Sequence, residues 1–320
     1  MIERHPEVAD RFMVLEAEGS FGDYARAHRD RLAEHYEEHG VIVLPRVPIN
    51  FDLEFFQGLS FPAEWKKIGT ANGIEAPLFE RRGGRVGVNH EHPLLDLFKQ
   101  VPLASYVQSQ ISSFNAQLRG GLRTLFPRYF SLHEANISWR LTETDKEGLH
   151  LDVFDGGAPI SRKLKARHRL KVFINIDSEA RTWRVSHDLP EVLIRGRSSL
   201  PNALPDDLNV VNNVIDKIGV LDGQPGHRVD YPPMSAVLVN AELVAHEVVR
   251  GKRMVAGEFW CDEVDMLEPE KHSHRALAGW LSDSGYDVAP DASAVARAYA
   301  DLPGSYERSG NHRGVKSTHP

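Results

Sequence analysis

Cysteine is almost missing from this 320-residue chain. Cys261 stands alone, which excludes an intramolecular disulfide and any cysteine-ligated zinc or iron–sulfur site. A reducing, cytoplasmic compartment is the expectation. Long hydrophobic runs are missing too. The most apolar stretch, Ser235-Ala-Val-Leu-Val, has the length of a strand, far from the ~18 residues of a spanning helix. The opening Met1-Ile-Glu-Arg-His-Pro-Glu is charged and has no apolar centre, so no secretory signal is expected. Positive charge is not in excess either: 38 Lys and Arg face 45 Asp and Glu, a formal net charge of -7. Sequence-independent nucleic-acid binding runs on surplus cations, so nucleic acid is not an expected partner. Internal repeats and low-complexity tracts are also lacking.

What remains is ordinary globular composition, with apolar residues at 41% and charged residues at 26%. Phe21 to Gly40 carries Tyr24, Leu32 and Tyr36 at helical spacing, and Gly40 is placed to end the helix. Val41-Ile-Val-Leu-Pro follows as a buried strand. A second helical region runs from Leu94 to Phe126, where Pro102 and the Gly120-Gly121 pair are expected to interrupt or bend it. Beyond Pro127 the texture changes to short β-branched or aromatic runs bounded by Gly, Asp or Pro. These are Asn136 to Thr142, His150 to Phe154, Arg169 to Ile176, Thr182 to Val185, Ser235 to Asn240, Val244 to Val249 and Met254 to Cys261. A partly helical insert at 189–218 interrupts them, Ala292 to Ala300 returns to helix, and 304–320 reads as a polar tail. Strands in such number without a helix between each predict a mainly β, α+β protein with flanking helices and an antiparallel barrel or sandwich core.

The chemistry concentrates in His150-Leu-Asp152. Residues i and i+2 of a strand point to one face, so this His and Asp can share a metal while Leu151 packs on the other side. His246, in Val244-Ala-His-Glu-Val-Val, is the candidate third ligand. Two His and one carboxylate with open positions opposite is the arrangement of non-haem Fe(II) oxygenases. With 16 His and 21 Asp in the chain, about one His-x-Asp arises by chance. A second copy, His28-Arg-Asp30, lies in a charged helix where i and i+2 diverge by roughly 200°, and it reads as a solvated face. Asp155, at i+5, points away from His150 and reads as a turn residue before Gly156-Gly157.

A basic block, Ser161 to Lys171, holds six Lys or Arg and no acid. Residues 162–167 read equally well as a solvated loop. In the strand that follows, Arg169, Lys171, Phe173 and Asn175 alternate with Leu170, Val172, Ile174 and Ile176. One face is aliphatic; the other suits a barrel interior that binds an anion, with Arg169 a bidentate anchor and Lys171 a point charge. Arg140 and Arg184 are further candidates to face the cavity, each equally suited to a structural ion pair. Trp139, Trp183 and Cys261 read as core.

The helical N-terminal portion, the His-x-Asp on an early strand and the distal His resemble the Fe(II)/2-oxoglutarate-dependent dioxygenases. The runs Asn136-Ile-Ser-Trp-Arg, His150-Leu-Asp, Leu170-Lys-Val-Phe-Ile-Asn-Ile and Arg181-Thr-Trp-Arg-Val are most similar to the Kdo (3-deoxy-D-manno-oct-2-ulosonic acid) hydroxylases. The resemblance implies a double-stranded β-helix (cupin-like jelly roll) in a single dioxygenase domain over 1–303. Within it lie a helical portion 1–126, a core 127–262 with the insert, and C-terminal helices 263–303. It implies Fe(II) held by His150, Asp152 and His246, with 2-oxoglutarate and O2 as cosubstrates. The product is a hydroxylated C–H bond, and the substrate an anionic small molecule or glycolipid. Such a substrate leaves peripheral contact with the inner membrane open. Many members place the 2-oxoglutarate arginine about ten residues beyond the distal His; Ala256 stands there. The anchor is then Arg253 in a shifted register or, preferred, the Arg169/Lys171 strand, with Arg140 in support. Protein hydroxylation within the same superfamily stays open. So do a cupin-type metalloenzyme that does not use 2-oxoglutarate and a non-catalytic anion-binding β-domain.

Overall fold

The computed structural model of the protein describes residues 2–16, 19–29, 31–61, 67–142, 148–152, 167–201, 203–205, 207–289 and 292–303. The expected turn at Asp155 to Gly157, the loop half of the basic block at 161–166 and the tail at 304–320 lie outside them. Two sheets face each other. The larger has seven strands in the order β2 (Phe12–Val14), β3 (Val41–Leu44), β12 (Ala236–Val239), β8 (Arg167–Asn175), β14 (Met254–Asp262), β7 (His133–Arg140) and β4 (Ile68–Gly69). The smaller runs β1 (Ile2–Glu3), β11 (His227–Tyr231), β9 (Arg181–Asp188) and β13 (Val244–Arg250). Except for the parallel β2–β3 pair, both are antiparallel. This is a jelly roll, as the sequence leads one to expect.

Period-two alternation builds three layers from these strands. Leu170, Val172, Ile174 and Ile176 of the β8 run join Ile137, Trp139, Val255 and Phe259 in the core beneath the helices. The helices on that side are α1 (Phe21–His28), α2 (Arg31–Glu37), α3 (Leu53–Gly58), α4 (Pro93–Phe98) and the long α5 (Val101–Leu125). Trp139 is fully buried there among Phe51, Phe56 and Phe114, with ring centroids 5.0–5.6 Å away. Between the sheets, Val41, Val43, Val237 and Val239 meet Trp183, Val185, Val229 and Tyr231. Outside the small sheet a third cluster gathers Leu149 and Leu151 with residues of α6 (Leu189–Arg195), α7 (Leu208–Lys217) and α8 (Ser273–Asp283). The helical insert is thus the cover of the small sheet. Two minor pairings, the β5 (Phe79–Arg82) and β6 (Arg85–Val88) hairpin and β10 (Ala203–Pro205) with β15 (Asp287–Ala289), stand apart, and α9 (Ala292–Tyr299) closes the described chain.

Three expectations change. The region 21–40 is two helices, because Ser20 and Asp23 close a capping box on α1 and Arg29 takes φ 41 at its end. Gly120-Gly121 does not interrupt α5. A Cβ on Gly121 would lie 2.4 Å from the Phe21 ring, so the glycine serves close helix packing, which outweighs its roughly 1 kcal/mol propensity cost. The interruption expected at Pro102 is present: α4 ends at Phe98 and α5 starts at Val101, with Pro102 in its first turn, where its missing N–H costs nothing. Finally, His150 is an isolated bridge residue with no strand at 151–152.

Candidate metal centre

His150 and His246 face each other across a two-residue ladder. The His150 N–H donates to the His246 carbonyl at 3.0 Å, and the His246 N–H donates back at 2.9 Å. Residues directly opposed in an antiparallel pair present side chains to the same face, which brings the two imidazoles to 4.6 Å between centroids. Asp152 follows two residues later, its N–H held by the Ala241 carbonyl at 2.8 Å. Leu151 turns the other way into the apolar cluster under α7. Asn212 on α7 donates its amide to the carbonyls of both Leu151 and Asp152 at 3.2 Å. The ligand segment is thereby tied on both sides, although only one residue of it pairs as strand.

One ligating atom from each of His150, Asp152 and His246 lies within 4.8 Å of the others, a spacing that fits a single divalent ion. Nδ1 of His150 is 2.8 Å from the Gly148 carbonyl, and Nδ1 of His246 is 3.0 Å from the Val244 carbonyl. A carbonyl only accepts, so Nδ1 carries the proton in both rings and Nε2 keeps a lone pair for a metal. Burial, reinforced by the neighbouring His150, pushes the His246 pKa down to about 4, which keeps the ring neutral at physiological pH. For Asp152, burial works upward but is outweighed by Lys171 and the two imidazoles, and the carboxyl stays well below the usual range. Two imidazoles and one carboxylate make a donor set suited to a borderline divalent cation. Trp183 stacks on His246 at 5.3 Å and 23°, so this core tryptophan also forms the wall behind the third ligand.

The triad opens into a cavity of about 260 Å³ between the sheets. Of the anticipated anion anchors, Arg140, Arg169 and Lys171 line it and Arg253 does not. Arg253 instead donates to the carbonyls of Phe56, Gln57 and Leu59 at the end of α3 and lies over the Phe61 ring. Arg184 pairs with Glu247, away from the cavity. Arg169 is held by Glu242 and Glu258, each at 2.7 Å, and the Lys171 ammonium lies on the Asp152 carboxylate. Sequence reasoning missed Lys67, Asn136, Ser138 and Glu258 in the lining, and Asn212 behind it. Alternation along Asn136, Ser138 and Arg140 was a readable signal for two of them. Cys261 is buried and its thiol pKa is raised by that burial, in keeping with a core residue.

The sequence matches no protein-family model and no curated protein. Solved structures do match, and they share the double-stranded β-helix of the non-haem Fe(II), 2-oxoglutarate-dependent dioxygenases, the fold that the sequence motifs resemble. Among the matching structures are those of the Kdo hydroxylase KdoO, a non-haem Fe(II), α-ketoglutarate-dependent dioxygenase. Its apo structure is 19% identical with a TM-score of 0.62, covering 87% of this chain and 97% of that one. The cobalt(II) complex aligns at 18% identity and TM-score 0.62, and the complex with α-ketoglutarate and Fe(III) at 21% and 0.59, over the same spans. The likeness is one of fold across nearly the whole of both chains.

Proposed function

We propose that this protein is an Fe(II)- and 2-oxoglutarate-dependent hydroxylase acting on the Kdo sugar of a lipopolysaccharide precursor or on a close relative of it. The observation that carries the reading is the convergence of His150, Asp152 and His246 on the inner face of a jelly roll that is similar to solved structures of KdoO, one of them with α-ketoglutarate bound. These three side chains would hold the metal. With Fe(II), 2-oxoglutarate and O2 bound, the centre supplies oxidative decarboxylation of the cosubstrate to succinate and CO2, coupled to hydroxylation of a C–H bond.

The chain's own residues prepare that chemistry. The carbonyls of Gly148 and Val244 fix both imidazole tautomers, and Asn212 fixes the backbone of the aspartate ligand. Trp183, Phe173 and Val248 give the cavity an apolar wall beside the triad. Lys171 is the anchor for the distal carboxylate of 2-oxoglutarate. Its ammonium already lies beside the triad, whereas the two bonds from Arg169 to Glu242 and Glu258 leave that guanidinium a positioning role. A single buried thiol supports action in the reducing cytoplasm, at the face of the inner membrane where such a glycolipid is built.

The test is succinate formation by Fe(II)-loaded protein given 2-oxoglutarate and Kdo-lipid A. Turnover is expected, and Asp152→Ala should abolish it and stoichiometric metal binding while circular dichroism shows the fold retained. Turnover persisting in that variant would remove the ligand assignment. Metal binding without succinate under any substrate condition would favour a cupin-type metalloenzyme of different chemistry.

A further inference from the structure

Strand β8 is paired along its whole length on one edge only. Toward β14 the ladder runs from Arg167–Asp262 to Asn175–Met254. Toward β12 it holds only from Ile174–Ala236 to Val172–Leu238, because the chain leaves β12 after Val239 and turns at 241–243 toward β13. Residues two apart on a strand send their main-chain groups to the same edge. Asn175 donates its N–H to the Ser235 carbonyl on the β12 side at 3.0 Å, so the Lys171 N–H and the Arg169 carbonyl point to that side too, beyond the end of the ladder. Buried main-chain groups left without partners there would be costly.

One side chain supplies both partners. The Tyr36 hydroxyl accepts from the Lys171 N–H at 3.0 Å and donates to the Arg169 carbonyl at 2.9 Å, in place of the missing strand. Tyr36 comes from α2 on the helical side of the sheet and is fully buried. Phe126 and His168 meet its ring edge-on at 6.0 and 5.6 Å between centroids, which fixes where the hydroxyl sits. Burial raises the phenol pKa, so the hydroxyl keeps the proton that it donates. The segment held in this way is the one that turns Arg169 onto Glu242 and Glu258 and Lys171 onto the Asp152 carboxylate. A segment held on one edge alone can tilt about the β14 ladder, and a tilt at Lys171 is carried out to the ammonium along its four-carbon stem.

Resting on the hydroxylase reading above, with Lys171 as the cosubstrate anchor, we propose that Tyr36 is a positioning residue for 2-oxoglutarate. Its hydroxyl lies outside the cavity lining and acts through the β8 main chain, fixing the place from which Lys171 reaches the cosubstrate.

Calorimetry on the cobalt(II)-loaded protein with 2-oxoglutarate tests this. Tyr36→Phe keeps the packed ring and removes only the hydroxyl. Its affinity for 2-oxoglutarate should fall about tenfold while cobalt(II) affinity stays within about twofold, and the Lys171 amide should exchange hydrogen faster. Ile111→Ala, which takes buried volume from α5 and no hydrogen bond, should lower the urea midpoint and leave 2-oxoglutarate affinity in place. In a Lys171→Gln background, itself weakened for 2-oxoglutarate, adding Tyr36→Phe should change the affinity little, because the hydroxyl acts through that side chain. Full additivity of the two substitutions overturns the proposal. So does an equal loss of affinity in Ile111→Ala, or a Tyr36→Phe protein that loses stability and binds 2-oxoglutarate like the native one. Native affinity in Lys171→Gln overturns it as well, since there would be no anchor to place. Failure of the native cobalt(II) protein to bind 2-oxoglutarate at all would overturn the hydroxylase reading itself, and the role of Tyr36 with it.

Discussion

The two faces of the β7–β14–β8 ribbon are made by the same three strands and could hardly differ more. Toward the helices stand Ile137, Trp139, Leu170, Val172, Ile174, Val255 and Phe259, all buried and held by contact area. Toward the cavity stand Asn136, Ser138, Arg140, Arg169, Lys171 and Glu258. The first face is non-directional, so its stabilisation is spread over many contacts. The second is a set of specific charge pairings in which each partner decides the state of the next. Stability is concentrated on one side of a sheet one residue thick, and chemistry on the other.

That contrast can be broken first on the helical face. Trp139→Ala should cost about 3–5 kcal/mol, read as a lowered urea midpoint, while the folded fraction still binds cobalt(II) at one equivalent. Loss of metal binding in protein that remains folded would show that the two faces are not separable. A smaller effect is expected behind the site. Asn212→Ala removes the brace on the Leu151 and Asp152 carbonyls without touching the cavity, and cobalt(II) affinity should fall about tenfold with the urea midpoint nearly unmoved. An unchanged affinity would assign the positioning of Asp152 to its Ala241 and Lys171 contacts.

A pH-graded effect belongs to His168, which faces the helical core between Tyr36 and Tyr129. Burial, with His272 and His39 adding like charge, pushes its pKa down to about 3. The unfolded chain, at its ordinary value near 6.5, therefore binds a proton that the folded protein refuses. Its contribution is full above about pH 6.5 and is lost as pH falls toward 3, by at most about 1.4 kcal/mol per pH unit. The stability difference between native protein and His168→Gln, measured by urea unfolding at pH 7.5, 6.0 and 5.0, should shift steadily in favour of the variant on acidification. A constant difference across that range would count against a neutral His168.

Much of this was legible because strand periodicity is a local property. The alternation Arg169 to Ile176 and the His-x-Asp spacing state which side chains share a face before any partner is known. The missed residues entered the site by tertiary routes. Lys67 arrives just ahead of a two-residue strand too short to show a pattern, Glu242 through a turn, and Asn212 through a helix whose polar residue gives no sign of what it will meet. Arg253, the less favoured alternative, lies outside the cavity for the opposite reason. Distance along the chain from His246 suggested a cavity role, but the carbonyls at the end of α3 are exposed acceptors that a guanidinium satisfies better than an open cavity does. The glycine pair in α5 misled because helix propensity is a weaker force than the packing of Phe21.

Ala256 lies on the cavity floor, opposite Ser138 on one side and Phe173 on the other. It is the smallest lining side chain on β14 apart from glycine, and no ion pair depends on it. Headroom above the floor can therefore be graded by one substitution series, Ala256→Ser, Val and Leu, each added heavy atom subtracting from the room in the cavity while the charges around it keep their partners. The girth of the cavity can thus be set without disturbing the charges that line it.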